Sequence, residues 1–183
     1  MLRLALGLLL CGALIRPAGA QTVLHHTYEQ FVQHQGDSLG DFVEAYPSFG
    51  RFVLVFKEGD GLRKVRSHRL WGFTYKGVLF RVRAEGGMPV RLMAHGTICY
   101  YENGLAHLEM QRDHKEEAFF AYGERSYLSK DLQGEIVPAH FTEGDDKSAS
   151  ARFLKDHPEF SAVCTCIGDR EDMDHTRQCV VDF

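Results

Sequence analysis

Hydrophobic positions recur every second residue through most of residues 50–141 and at helical spacing on either side, behind a leader that is apolar almost without interruption. The period of two predicts strands, because successive side chains of an extended chain leave opposite faces; the flanks predict helices. Thr27-Tyr28-Glu29-Gln30 has the form of a capping box, with Tyr28, Phe31 and Val32 as the stripe of a short helix ending at Gly36. From Arg51 the pattern changes. Phe52 to Phe56 is apolar on both faces, as in a central strand, and Lys57 to Gly61 is a turn leading into Leu62 to Arg69.

Hairpins follow. With Lys76-Gly77 as a two-residue turn, Tyr75 faces Val78, Phe73 faces Phe80 and Trp71 faces Val82, which places these large apolar side chains on one surface. Asn103-Gly104 is the stronger turn signal, since a type I′ turn needs positive φ at both central positions. It would set Cys99 across from Leu108, Tyr101 across from Ala106 and His107 across from Tyr100. Ala118 to Tyr122 and Arg125 to Leu128 read as a strand pair around Gly123, and Glu135 to His140 as a short edge strand carrying Pro138. About seven or eight such strands predict a mainly β fold with some helix, an antiparallel meander or barrel-like sheet.

Beyond the solvated loop at residues 144–148 the period is helical again. Ser148 is placed to cap a helix carrying Phe153, Leu154 and His157, and Pro158 breaks or kinks it, with Asp156 and Glu159 as a fresh start. Gly168 ends that segment, Asp169 or Asp172 caps the next, and Met173, Thr176, Val180 and Phe183 form its stripe. Two C-terminal helices packed as an antiparallel pair on the sheet are expected.

The leader changes the picture of where this fold operates. Arg3, the apolar run from Leu4 to Ile15 and Ala18-Gly19-Ala20 have the layout of a secretory signal peptide, with the mature chain starting near Gln21. The run is shorter than the roughly twenty residues a membrane span needs. Residues 1–20 are therefore read as a cleaved signal and 21–183 as one globular domain, β-rich over 50–141 and helical over 148–183. The expected location is periplasm, cell surface or medium. Without Arg3 and Arg16 the chain carries 19 basic and 25 acidic residues, a balance of −6 that argues against nucleic acid or an anionic membrane as partner. The basic run from Arg63 to Arg69 reads as a solvated strand edge.

Four cysteines lie beyond the leader: Cys99, Cys164, Cys166 and Cys179. In an oxidising compartment they invite a disulfide, from Cys164 or Cys166 to Cys179 or Cys99, while a bridge between Cys164 and Cys166 would be strained. Cys164, Cys166, His175 and Cys179 are also of the residue types zinc accepts, but their spacing is unlike the paired-knuckle patterns, so a helix-to-helix disulfide is preferred to a metal. Asp169-x-Glu171-Asp172-x-Asp174 lacks the glycine and closing glutamate of a calcium loop and reads as an acidic helix start.

No phosphate-cradling loop, dinucleotide fingerprint or nucleophile motif is present, so no cofactor is expected. His25 and His26 sit near the new N-terminus, where a disordered leader is the simpler reading than a metal contact. A hydrolase would use His107 or His140 with a nearby carboxylate, and a glycoside hydrolase would instead draw a pair of carboxylates from Glu102, Glu109, Glu117, Glu124 and Glu135. The segments Trp71 to Arg81, Ile98 to Gly104 and Tyr127 to Leu132 resemble parts of uncharacterised exported bacterial β-rich proteins, a resemblance that implies export and strands but no activity. The expectation is a non-enzymatic exported module that binds an envelope partner or a small apolar ligand, with Tyr100, Tyr101, Phe119, Phe120 and Tyr122 as candidates to line a cavity.

Overall fold

The computed structural model describes residues 22–113, 125–141, 147–170 and 172–183. Eleven strands among them form two antiparallel sheets: β1 (Thr22–His25), β2 (Asp37–Leu39), β3 (Phe42–Ser48), β4 (Arg51–Glu58), β5 (Gly61–Arg66), β6 (Gly72–Tyr75), β7 (Val78–Val82), β8 (Pro89–His95), β9 (Cys99–Asn103), β10 (Ser126–Ser129) and β11 (Val137–Pro138). The larger sheet runs β11-β10-β9-β8-β7-β6-β1-β2 and the smaller β3-β4-β5. β6 to β11 form the expected meander. It stays open, because β2 and β11 are edges that do not meet. The described helices are α1 (Tyr28–Val32), α2 (Gly104–Asp113), α3 (Ala149–Asp156), α4 (Ser161–Ile167) and α5 (Met173–Val181). None is long and apolar enough to cross a membrane.

Several local readings carry through. β4, apolar on both faces, is the central strand of the small sheet, and Pro47 is accommodated because β3 lies at its edge. The Lys76-Gly77 hairpin has the expected register, Tyr75 with Val78 and Phe73 with Phe80, and both turn residues have positive φ, 50° and 77°. β5 is an edge strand, with Arg63 paired to Asp37 and Glu58. Pro138 lies on the edge strand β11. Ser148 caps α3, Asp172 caps α5, and Gly168 closes α4 at φ 61°. The chain breaks at His157-Pro158, with a 3₁₀ turn over Pro158–Phe160.

Other readings are corrected. Asn103-Gly104 is no hairpin turn: Asn103 ends β9 and Gly104 opens α2, so Cys99 pairs with His95 and Ser129, and Tyr101 with Leu92 and Tyr127. The Asn103 amide oxygen accepts the Leu105 N–H, as a helix cap does, and Gly104 lets the helix start lie against β8. His25 and His26 are not in a disordered leader, since His25 ends β1, which is paired on both sides, and is buried. Trp71 packs with Tyr28, Phe31 and Leu79, away from Phe73 and Phe80, because it precedes the regular strand. No side chain caps the 3₁₀ turn at Pro158, so Asp156 does not take the role expected of it. The α1 helix ends at Val32, and His34 rather than a glycine takes the first left-handed conformation. The proposed strand 118–122 and most of loop 144–148 lie outside the described residues.

At α1, Thr27 Oγ1 accepts the Gln30 N–H at 3.3 Å, while Gln30 Oε1 accepts from His26 rather than Thr27. Removing the cap with Thr27→Ala is expected to cost about 1 kcal/mol in urea unfolding.

Three apolar clusters organise the interior. One lies between the two sheets, where Phe42, Leu54 and Phe56 meet Leu24, Phe73 and Phe80. A second joins Ile98, Tyr100 and Leu128 to Phe153, Phe160, Val163 and Ile167, docking the helical tail on β9 to β11. The third, on the opposite face, includes Leu79, Cys99, Tyr101 and Tyr127, with Trp71 and the α1 aromatics packed against it.

Candidate functional site

Two concentrations of charge stand out. The first surrounds Glu102, whose side chain is 0% exposed. Register places Arg91 opposite Glu102, so both leave the same face of the sheet, and α2 brings His107 beside them. Glu102 accepts from Tyr100 Oη (3.0 Å), His107 Nε2 (3.0 Å), Arg177 Nε (2.6 Å) and Arg177 Nη2 (2.9 Å). Arg91 Nη1 lies 2.9 Å from His107 Nδ1. A guanidinium can only donate, so Nδ1 carries the lone pair and the imidazole proton sits on Nε2, facing the carboxylate.

Electrostatics follow from this packing. Burial by itself would raise the Glu102 pKa, but donation from His107 and Arg177, the Arg177 charge and the Tyr100 hydroxyl outweigh it and hold the carboxyl down at about 2. Tyr100 moves up, through burial and then the adjacent carboxylate, and Arg177 also moves up, through its bonds to Glu102. This is the histidine–carboxylate contact that a hydrolase reading requires. Both ring nitrogens of His107 and both oxygens of Glu102 are nonetheless engaged, by Arg91 and Glu102 on the ring and by His107, Tyr100 and Arg177 on the carboxylate. The network joins β8, β9, α2 and α5 and supplies structure.

The second concentration opens to solvent. Arg81 and Arg83 alternate with Phe80 and Val82 on β7 and just beyond it, so they leave the face opposite the inter-sheet core. The Arg81 guanidinium lies 4.6 Å from the centre of the Trp71 ring, and Arg83 the same distance from Tyr127. Arg81 is only 6% exposed, yet no carboxylate of the described residues pairs with it; it donates to the Leu132 carbonyl and over an indole. Asp131 is turned to the backbone, accepting from the Gln133 and Gly134 N–H groups. Burial lowers the Arg81 pKa, outweighing the opposing effects of Tyr101, Cys99 and the nearby Asp131 charge. Among the described residues, Arg81 Nε, Arg83 Nε, Trp71 Nε1 and Tyr127 Oη are buried without a hydrogen-bond partner.

Arg81 and Arg83 line a cleft of about 460 Å³ together with Arg51, His68, Glu85 and Glu135. Of the two acids, Glu85 is taken up by Arg83 at 3.1 Å. The exposed His68 imidazole is held below its ordinary value by partial desolvation and then by Arg51, Arg69 and Arg66, which reports a positive local field. Such a cleft can receive an anion.

The other anticipated residues are distributed differently. Tyr100 and Tyr101 are core side chains, 2% and 0% exposed, while Phe119, Phe120, Tyr122, Glu117 and Glu124 lie outside the described residues. His140 and Glu135 are exposed. Cys99 and Cys164 are free and buried, and burial raises both thiols, Cys164 to about 12, so neither is a nucleophile. Cys166 is bridged to Cys179, one of the pairings expected. His175 joins those two sulfurs, but Cys164 instead faces the apolar tail core, so the four-residue set does not assemble.

Sequence reading missed Arg81, Arg83 and Arg51, and took His68 for part of a solvated edge. The available signal was Leu79-x-Arg81-x-Arg83, arginines that share a strand face with an apolar residue. Comparison with protein-family models, with curated proteins and with solved structures found no match, so the site rests on its own geometry.

Proposed function

We propose that this chain is an exported, non-enzymatic binding module that takes a small anionic ligand, a carboxylate or phosphate, in the cleft beside Arg81. The observation that carries the reading is the buried Arg81 guanidinium, which has no carboxylate partner among the described residues and borders a cleft holding two further arginines. A buried cation without a directly paired carboxylate is costly, and an anion supplied from solution offsets that cost. Arginine suits this role because its planar fork can hold carboxylate or phosphate through two bonds. The ligand chemistry thereby shifts from apolar to anionic, since the lining is charged.

Export agrees with two features. β1 begins at Thr22, so cleavage after Ala20 would leave every described strand intact, and the Cys166–Cys179 bridge suits an oxidising compartment.

Titration of the purified chain with succinate and with inorganic phosphate tests this. Binding is expected to raise the His68 pKa, followed by NMR, because an anion counters the cations that depress it. Arg51→Gln is expected to weaken binding about tenfold, the worth of one charge-assisted bond. Unchanged His68 titration with both anions, or equal affinity in the variant, refutes the proposal.

A further inference from the structure

We infer that Cys166, His175 and Cys179 form a redox-gated site for a thiophilic divalent cation of the zinc class: closed as a disulfide, and metal-binding once the bridge is reduced. The ligand atoms of the three residues lie within 4.8 Å of one another. His175 and Cys179 are one helical turn apart on α5 and so share a face, while Cys166 comes from α4.

The spacing matches the chemistry. His175 Nε2 lies 3.6 Å from Cys179 Sγ. Tetrahedral zinc, with bonds of about 2.3 Å to sulfur and about 2.05 Å to nitrogen, requires an S···N separation of about 3.6 Å. Cleaving the bridge need only let the two sulfurs part to about 3.8 Å, the corresponding S···S separation. Cys166 is exposed, so a reductant can reach it, and the fourth position is left to water.

A dithiol reductant supplies the opening step. Its thiolate attacks the bridge, a mixed disulfide forms, and its second thiol displaces the protein sulfur; the reductant leaves as a disulfide and Cys166 and Cys179 become thiols. Zinc then displaces both thiol protons to solvent and takes the Nε2 lone pair of His175. That nitrogen lies 2.8 Å from the Cys166 carbonyl, to which it donates in the closed form, so its proton moves to Nδ1 through solvent. Cys99 and Cys164, both buried, take no part.

The test compares oxidised and reduced full chain titrated with cobalt(II), read by thiolate-to-metal charge-transfer absorption, and with zinc, read by elemental analysis after dialysis. One ion per reduced chain and none per oxidised chain is expected. His175→Ala should weaken uptake at least tenfold, since even residues that only orient a ligand cost about that much. Zinc should also shield Cys166 and Cys179 from alkylation in the reduced protein, a measurement that needs no variant. Absence of uptake by the reduced chain, uptake undiminished in His175→Ala, or shielding of Cys99 and Cys164 instead would overturn the inference. None of these results depends on the Arg81 cleft.

Discussion

Glu102→Gln is expected to destabilise the protein by about 3 kcal/mol near neutral pH, with the difference from wild type shrinking toward zero as the pH falls to about 2. The carboxylate is fully buried and accepts four hydrogen bonds, two of them from one guanidinium. Glutamine has the same shape but a single acceptor oxygen; its amide N–H₂ would face an Arg177 N–H in either orientation, because Arg177 donates to both carboxylate oxygens. The Glu102 carboxyl is held at about 2 when folded against an ordinary 4.5, so its stabilisation is complete above pH 4.5 and is lost as the pH drops toward 2. Those two values correspond to a contribution on the order of 3 kcal/mol. Urea unfolding of both proteins between about pH 7 and pH 2 is the measurement, and subtracting the curves cancels the other carboxylates. A constant difference across that range would show that Glu102 is not the acid-sensitive group.

Gly104→Ala is expected to cost about 3 kcal/mol, although alanine ordinarily favours a helix over glycine by about 1 kcal/mol. A Cβ at this position would lie 2.5 Å from the Pro89 carbonyl oxygen, 2.7 Å from the carbonyl carbon and 2.9 Å from the Val90 nitrogen. All three are backbone atoms of β8 or its start, so no rotamer change relieves the contact. The start of α2 must move off the sheet, carrying with it Leu105, Leu108 and His107, all buried. Gly104 is not in the left-handed region, so the cost arises from crowding and not from φ. Alanine at Gly50, where nothing lies within 4 Å, is the informative comparison: it is strained by its φ of 73° but crowds no neighbour. Equal stability of Gly104→Ala and wild type by urea unfolding would mean that the helix start does not pack on β8.

Two X-Gly pairs mark where sequence reading succeeds and where it fails. Lys76-Gly77 and Asn103-Gly104 look alike locally, and both permit a tight turn. At the first, the flanking residues Tyr75 and Val78 also pair, so turn and strands agree. At the second, the residues after Gly104 pack as a helix, and Asn-Gly serves as a cap followed by a close approach. No local pattern separates these outcomes, because Ala106 and Leu108 suit an inward strand face, while Leu105 with Leu108 equally suits a helix stripe. Strands β1, β2 and β3 escaped notice for a related reason. They are short or carry a proline, and β1 is stabilised by partners far along the chain at β6.

Chemistry-bearing residues divide in the same way. Pattern alone singled out the cysteine pairing options, the caps at Thr27, Ser148 and either Asp169 or Asp172, and, in separate readings, His107 as an imidazole and Glu102 as one of five carboxylates of interest. It could not foresee that Arg177, 75 residues away, closes on Glu102, or that His107 has both nitrogens engaged.

What residue order determined by itself is the mainly β character, the Lys76-Gly77 register, the helical tail with its break at Pro158, and the menu of disulfides. Each depends on neighbours within a few residues, where φ preference, capping and hydrophobic period act directly. Only tertiary structure decided the open eight-stranded sheet, the burial of Glu102 and the exposure of the Arg81 cleft. Burial and charge pairing are properties of residues brought together across the chain, and the desolvation that sets their energies does not exist until the sheets and helices have packed.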